Sequence, residues 1–201
     1  GYINKIYIEI KYLIKMPDVN EEIVKAYYEA QGYVVKTNHY YVKRKFSEDG
    51  KKKGQGPSDI DLVIIHPITK DKAIISVKGW HNDVVRKSNI KNWLGKDNLK
   101  IDSQTIEAGR SFFGDDNFRK ILVLSCIDKK DYNELKKELE ESYGYNEVLD
   151  FPKLLNDLVE GNEERQIPKF NDSKHYRDSE FLQTLRLFIK HYLKTKGRKP
   201  V

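Results

Sequence analysis

The chain has 201 residues, enough for one domain with a substantial core, and its 37 Lys and Arg against 31 Asp and Glu give a formal net charge of +6. Its one cysteine, Cys126, excludes an internal disulfide and a cysteine-based zinc site. No apolar stretch approaches the roughly 20 residues that span a bilayer, and the start lacks the pattern of a signal peptide. We therefore expect a soluble, cytoplasmic protein without a membrane partner.

The N-terminal part of the chain changes from a strand pattern to a helix pattern and back. Ile6, Ile8 and Ile10 occupy every second position, which favours a short strand, while a helix with a wide apolar face stays open. An apolar stripe at helical spacing predicts a helix over residues 20–31. Abundant tyrosine and valine then predict a strand over residues 33–46.

The next part of the chain predicts two strands joined by a reversal. Asp49 and Gly50 favour a turn before them. Residues 56–65 open on turn residues and become apolar and β-branched. After a reversal at Pro67, residues 73–80 form a second such run. The pattern indicates a strand, a turn and another strand.

The remainder of the chain alternates helices and strands. Residues 83–100 show no clean period and are predicted as loop. The predicted elements are a helix over 102–113, a strand over 120–126, a helix over 130–142, a strand over 147–151, and helices over 152–160 and 179–194. This order predicts an α/β sandwich around a mixed sheet. We expect a core over residues 18–165, an N-terminal extension over 1–17 and a C-terminal helical extension over 166–201.

Two basic runs precede the apolar strand that begins near residue 56. They are Lys43, Arg44 and Lys45, and then Lys51, Lys52 and Lys53. Such a patch attracts a polyanion through release of its counterions, which makes nucleic acid a natural partner. A solvated hairpin tip is the alternative interpretation.

Polar side chains interrupt the two apolar strands. Because side chains alternate faces along a strand, Asp59 and Asp61 are expected on one face, and Ser76 and Lys78 on one face of the neighbouring strand. Two carboxylates beside a lysine suit a hard cation and a group that handles charge, so the set predicts a site for phosphodiester chemistry. The alternatives are an aspartate satisfied by backbone amides and an edge lysine that discourages aggregation.

The order of these elements resembles a known family. A helix bearing a glutamate, a strand carrying Asp61 and a following strand that ends in the acid-x-Lys position at residues 76–78 resemble the PD-(D/E)xK nucleases. The resemblance covers residues 22–126, and residues 77–80 are also similar to the lysine-x-tryptophan ending of the methylation-dependent restriction branch. It implies a restriction-endonuclease-like mixed sheet flanked by helices, and a DNA endonuclease that depends on Mg²⁺ or Mn²⁺.

The same resemblance implies roles for individual residues. Asp61 would bind the metal, and Lys78 would stabilise the charge that builds on phosphorus. Ser76 stands where the family usually has glutamate or aspartate, which makes Asp59 a candidate for a second acid. Glu22 lies at the edge of the helix's apolar stripe and is the predicted helix acid, with an ordinary first-turn glutamate as the alternative.

Other functions stay open at this point. The chain fits a nucleic-acid-binding module on the same fold that has lost its metal site at Ser76. A nucleotidyltransferase using Asp59 and Asp61 ranks lower, because the Gly-Ser turn of that family is missing upstream and Lys78 would have no role. His81 follows the motif and could contact phosphate. DNA is the expected partner, and pairing into a homodimer is left open.

Overall fold

The computed structural model describes residues 19–46, 52–78, 85–87, 90, 101–167 and 183. The elements within them are α1 (Val19–Ala30), β1 (Val34–Phe46), β2 (Lys52–Ile65), β3 (Lys72–Lys78), α2 (Ser103–Phe113), β4 (Arg119–Leu124), α3 (Tyr132–Tyr143), β5 (Glu147–Asp150) and α4 (Phe151–Glu160). The predicted order of helices and strands is confirmed over these residues, and most ends agree to within one or two residues.

Parts of the predicted organisation fall outside the described residues. The strand predicted around Ile8 lies there, as does the helix over 179–194 except for Gln183. From the predicted loop over 83–100, Val85 forms a parallel bridge with Ile127 and Ile90 is buried.

The strands of the described part form a mixed sheet in the order β1-β2-β3-β4-β5. β2 pairs antiparallel with β1 and β3, whereas β4 pairs parallel with β3 and β5. The parallel pairs need long crossovers, which contain α2 and α3. The apolar runs Ala73 to Ile75 and Ile121 to Leu124 are buried, as expected for central strands covered on both faces. The predicted α/β class with a mixed sheet flanked by helices is confirmed.

Helices cover both faces of the sheet. On one face, α1 and α4 contribute Val24, Tyr27 and Leu154 to a core cluster that also contains Leu62 and Val123. The opposite face carries two further clusters. One joins α3 to Leu122 and Leu124, and the other joins α2 to Val63 and Ile74. Over these three clusters the sheet is therefore the middle layer of three.

β2 is longer than the sequence predicts. The strand predicted from residue 56 begins at Lys52, and residues 54–58 pair with β1. Pro57 is tolerated in this strand because its position needs no N–H donor. The N–H and C=O of Arg44 bond the side chain of Gln104, so they point away from β2, and the pair of Arg44 with Gln55 has no backbone hydrogen bonds. The pair of Val42 with Pro57, two residues along, has the same pattern.

The extra length of β2 creates a two-stranded arm. Residues 39–46 of β1 and 52–60 of β2 pair with each other beyond the point where the β2 and β3 pairing ends, and we call this arm the ribbon.

The core continues past the predicted boundary near residue 165. Ile167 is buried and belongs to the cluster under α1, and Asn162 and Ile167 form an antiparallel bridge. Among the described residues, no helix combines the length and the apolar character needed to cross a membrane.

Candidate active site

The candidate site lies at a fork in the sheet. β2 pairs with β3 from Leu62 opposite Ile75 to Ile65 opposite Lys72, and no pair is formed beyond Leu62. From there β2 continues along β1 alone, while β3 continues along β4 up to Lys78 opposite Leu124. The two strands therefore separate just where Asp61 and Ser76 would have met.

The side chain of Asp61 fills this fork. Its Oδ2 accepts the backbone N–H of Val77 at 2.6 Å and the hydroxyl of Ser76 at 3.4 Å. Lys78 Nζ lies 4.0 Å from the same oxygen. The structure thus brings Asp61, Ser76 and Lys78 together, as the hairpin argument predicted. The hydrogen bond from the backbone N–H of Val77 also fits the alternative interpretation, in which Asp61 is an aspartate satisfied by backbone amides.

Solvent reaches both charged members of this group. The side chain of Lys78 is 38% exposed and that of Asp61 is 17% exposed. A separation of 4.0 Å is longer than a direct hydrogen bond, so the ammonium is attracted to Asp61 while its N–H donors stay available to a phosphate oxygen. At Lys78, β3 pairs with β4 but not with β2, so its fork side is an unpaired strand edge within the described residues and the interpretation as an edge lysine stays open.

The carboxylate of Asp61 leans towards the face covered by α2 and α3. Ser76 and Lys78 alternate with Val77, which packs in the cluster under α1, so the polar pair faces the other way. Tyr145 lies in the cluster under α3, and its pKa is raised mainly by burial and further by the negative charge of Asp61. Both observations place Asp61, Ser76 and Lys78 on the side of the sheet covered by α2 and α3.

Asp59 does not share that side with Asp61. Ile60 packs in the cluster under α2, whereas Leu62 packs in the cluster under α1, so the alternation of faces breaks at Asp61. Asn38, the residue across β1 at this point, has a φ of 50° and forms no ladder pair. The predicted common face for Asp59 and Asp61 is therefore wrong, because a left-handed residue in β1 reverses the faces of the ribbon.

The helix acid that reaches the sheet is Glu21. It is 5% exposed, and Asn38 Nδ2 donates to its Oε2 at 3.5 Å. Glu22 instead pairs with Lys25 at 3.9 Å on the partly exposed surface of α1. The prediction that placed Glu22 towards the sheet is wrong. Tyr27 and Tyr28 are both fully buried, so the buried face of α1 includes the positions of Tyr28 and Glu21 rather than that of Glu22.

The predicted nucleic-acid-binding residues separate into two groups. Lys43 donates to Asp102 at 2.8 Å, a bond that raises the pKa of Lys43, so its charge is already paired. Arg44 and Lys53 are exposed on the ribbon. The remaining predicted contacts lie outside the described side chains: Lys45, Lys51, Lys52 and His81.

The donor atoms at the fork suit a hard cation in kind. Asp61 and Ser76 supply oxygens, and Mg²⁺ is often held by one or two carboxylates while water and substrate phosphate complete its shell. In the part of the chain that the structure describes, no three His, Cys, Asp or Glu residues lie together as a metal-binding group. Asp61, Asp59 and Glu22, the predicted ligands, therefore do not assemble as a set of three.

Two participants were missed by sequence reasoning. Asn38 lies across β1 from Asp61 and donates to Glu21, and Gln104 holds the backbone of Arg44. Asparagine tolerates a positive φ better than most residues, so its place within a strand pattern was a usable signal for the irregularity. Gln104 carries no such signal.

Comparison of the chain with protein-family models, curated proteins and solved structures finds no match.

Proposed function

We propose that this protein is a metal-dependent DNA endonuclease whose reaction takes place at the fork between β2 and β3. The observation that carries the proposal is the convergence of Asp61 and Lys78, 4.0 Å apart and open to solvent where the sheet divides. An acid that can hold a cation, beside a lysine, can stabilise the negative charge that develops during phosphodiester hydrolysis.

Lys78 has the clearest role for a chain residue in this reaction. Water attacks phosphorus, a new P–O bond forms, the P–O bond to one sugar oxygen breaks, and that oxygen leaves with a proton. Negative charge accumulates on the phosphoryl oxygens during attack, and the ammonium of Lys78 stabilises it. Ser76 donates its hydroxyl to Asp61 and so orients the carboxylate.

Asp61 is the residue that would hold Mg²⁺ or Mn²⁺, and the metal would supply Lewis-acid polarisation of the phosphate and a more acidic water. Glu21 would act on the site indirectly. It lies on α1, which covers the other face of the sheet from the carboxylate of Asp61, and its oxygen accepts from Asn38, which lies across β1 from Asp61. This proposal keeps Asp61 as the metal ligand and gives Glu21, in place of Glu22, a positioning role.

One feature favours a second function. Ser76 brings no negative charge to the position where a nuclease of this type usually has an acid, which weakens metal binding. A nucleic-acid-binding module without catalysis is therefore the alternative. It differs from the enzyme in one observable, which is cleavage that depends on metal.

The test is cleavage of labelled single-stranded, duplex and branched DNA in Mg²⁺, in Mn²⁺ and in EDTA. Wild type is compared with Asp61→Ala and with Glu141→Gln, an exposed acid on α3. The proposal predicts cutting that requires metal, persists in Glu141→Gln and disappears in Asp61→Ala. Binding without any cutting would establish the binding module instead. Cutting by Asp61→Ala at the wild-type rate would show that Asp61 is not part of the active site.

A further inference from the structure

The two faces of the ribbon have different surroundings. One face packs on α2, where the hydroxyl of Tyr41 bonds that of Thr105 at 2.8 Å and Lys43 pairs with Asp102. Because side chains alternate, the residues between these point away from α2. The exposed residues of this outer face are Tyr40, Val42, Arg44, Lys53, Gln55 and Pro57.

The outer face has an unusual mixture of side chains. Tyr40 and Val42 are 44% and 62% exposed, although exposed strand faces are normally polar. Two cations, Arg44 and Lys53, lie beside them, and Arg44 pairs across the ribbon with Gln55. A surface that is both cationic and apolar matches a ligand that offers phosphate charge together with base edges and methyl groups.

The outer face is held rigidly. The side-chain amide of Gln104 accepts the N–H of Arg44 at 2.6 Å and donates to its C=O at 2.8 Å, so it takes the place of a neighbouring strand. With the bonds of Tyr41 and Lys43 to α2, this fixes the ribbon at several points. A backbone held at these points needs little ordering when the outer face binds, which lowers that part of the entropic cost of association.

The ribbon also has the right size for a duplex. Its two strands lie about 5 Å apart, and the major groove of B-DNA, about 12 Å wide, admits a two-stranded ribbon. Along β2, the six residue steps from Gln55 to Asp61 span roughly 20 Å, about six base-pair rises of a duplex. The outer face points away from α2, whereas the carboxylate of Asp61 leans towards it, so a duplex held by the ribbon reaches the fork past the end of the pairing between β2 and β3.

We infer that the outer face of the ribbon lies in the major groove of duplex DNA, with Arg44 and Gln55 contacting base edges and Lys53 contacting a phosphate. The identity of the ligand as DNA rests on the proposed function. Arginine and glutamine are side chains that read guanine and adenine in this groove, so the cross-strand pair selects sequence as well as adding affinity. The one acid on this face, Asp59, lies at the end nearest the fork, away from that pair.

The test measures binding of the full chain in EDTA, where cleavage does not interfere. Fluorescence anisotropy compares a labelled duplex with its single strand, and selection from a random duplex pool reports sequence preference. Arg44→Ala and Gln55→Ala are expected to weaken duplex binding about tenfold and to flatten the selected sequence. Lys53→Ala should weaken all sequences alike and reduce the salt slope by about one.

The control is Lys137→Ala, which removes a 71% exposed cation from α3 and should bind as wild type. Thermal unfolding verifies that every variant is folded. Equal affinity for the duplex and the single strand, or wild-type binding and selection by both Arg44→Ala and Gln55→Ala, would overturn the inference.

The outcome is separable from that of the proposed function. If the ribbon variants lose duplex binding and the wild type never cuts in metal, the inference stands and the nuclease falls. If the wild type cuts through Asp61 and the ribbon variants bind normally, only the inference falls.

Discussion

The side chain of Asp61 accepts a backbone N–H of β3 that elsewhere in the sheet would bond a carbonyl of the neighbouring strand. Its carboxylate accepts the N–H of Val77 just beyond the last pair between β2 and β3. The same carboxylate therefore links β2 to β3 at the fork and places a negative charge 4.0 Å from the ammonium of Lys78. A change at Asp61 is expected to affect local structure and chemistry together, so the thermal unfolding of each Asp61 variant is measured beside its cleavage rate.

Ser76 offers a gain-of-function test. Ser76→Glu adds a carboxylate beside Asp61, and the extra negative charge should lower the Mg²⁺ concentration for half-maximal cleavage on the order of tenfold. Ser76→Gln has nearly the same size without the charge and is the control. The measurement is the initial cleavage rate across a Mg²⁺ titration. An identical metal dependence for the two variants would show that residue 76 does not face the metal.

The two glutamates of α1 form a matched pair. Glu21→Ala removes the buried oxygen that accepts from Asn38, and we expect metal-dependent cleavage to fall about tenfold because β1 is then less firmly fixed beside Asp61. Glu22→Ala removes a charge that pairs with Lys25 and should stay within about twofold of wild type. Single-turnover rates at saturating protein make the comparison. The reverse order of the two variants would restore Glu22 as the helix acid.

At the scale of elements, α2 acts as a support for the ribbon. Asp102 caps the helix by accepting the N–H groups of Gln104 and Thr105, and it pairs with Lys43 of β1. Hydrogen bonds from Lys43 and Thr105 outweigh the effect of burial and lower the pKa of Asp102. One side chain thus begins the helix and attaches the ribbon to it.

Loss of this cap should be visible in stability. Asp102→Ala removes both interactions, and we expect the free energy of unfolding to fall by about 1–2 kcal/mol. Ser103→Ala, at the next position of the helix and exposed, should change it by less than about 0.5 kcal/mol. Urea unfolding followed by circular dichroism measures the difference. An Asp102→Ala variant as stable as wild type would mean that the ribbon is held without the cap.

The elements were largely predictable from the sequence, and the reasons are local. Apolar runs such as Ile121 to Leu124 and capping residues such as Asp102 mark strands and helix starts within a few residues of chain. The hairpin that joins Asp61 to Lys78 follows from the same local signals. The faces at Asp59 and Glu21 could not be predicted, because they depend on the backbone of Asn38 and on how Tyr28 packs.

At the scale of the whole molecule, charged residues hold the end of the sheet opposite the fork. Arg119 in β4 bonds Asp71 before β3 at 3.1 Å through Nε and Glu147 in β5 at 2.8 Å, and Arg165 adds a bond of 2.7 Å to Glu147. Tyr33 completes the group by donating to Asp71 at 2.6 Å. Partners 18 to 48 residues apart in the chain cannot be matched from sequence alone.

This network makes stability depend on pH. Burial works to raise the pKa of Asp71, but hydrogen bonds from Arg119 and Tyr33 outweigh it and lower that pKa below its ordinary value. Its contribution is therefore fully present above the unfolded pKa of about 4 and is lost as the pH falls through the folded value.

Asp71→Asn should cost about 1–2 kcal/mol at pH 7, allowing for the partial exposure of the pair, and should flatten the fall in stability below about pH 4. Glu141→Gln on α3 is the control and should keep the wild-type pH profile. Urea unfolding between pH 2.5 and pH 7 gives both curves. A full acid-dependent loss in Asp71→Asn would assign that loss to other carboxylates.

Asp61 and Lys78 are proposed to act as a unit on the phosphodiester bond, and a double-mutant cycle measures whether they do. Single-turnover cleavage of duplex DNA in Mg²⁺ would be measured for Asp61→Asn, Lys78→Met and the double variant. Each single change is expected to lower the rate about 10²- to 10³-fold, and the double variant should be little slower than either. Wild-type rates in both single variants, or losses that multiply in the double variant, would show that the two residues do not act as a unit in cleavage.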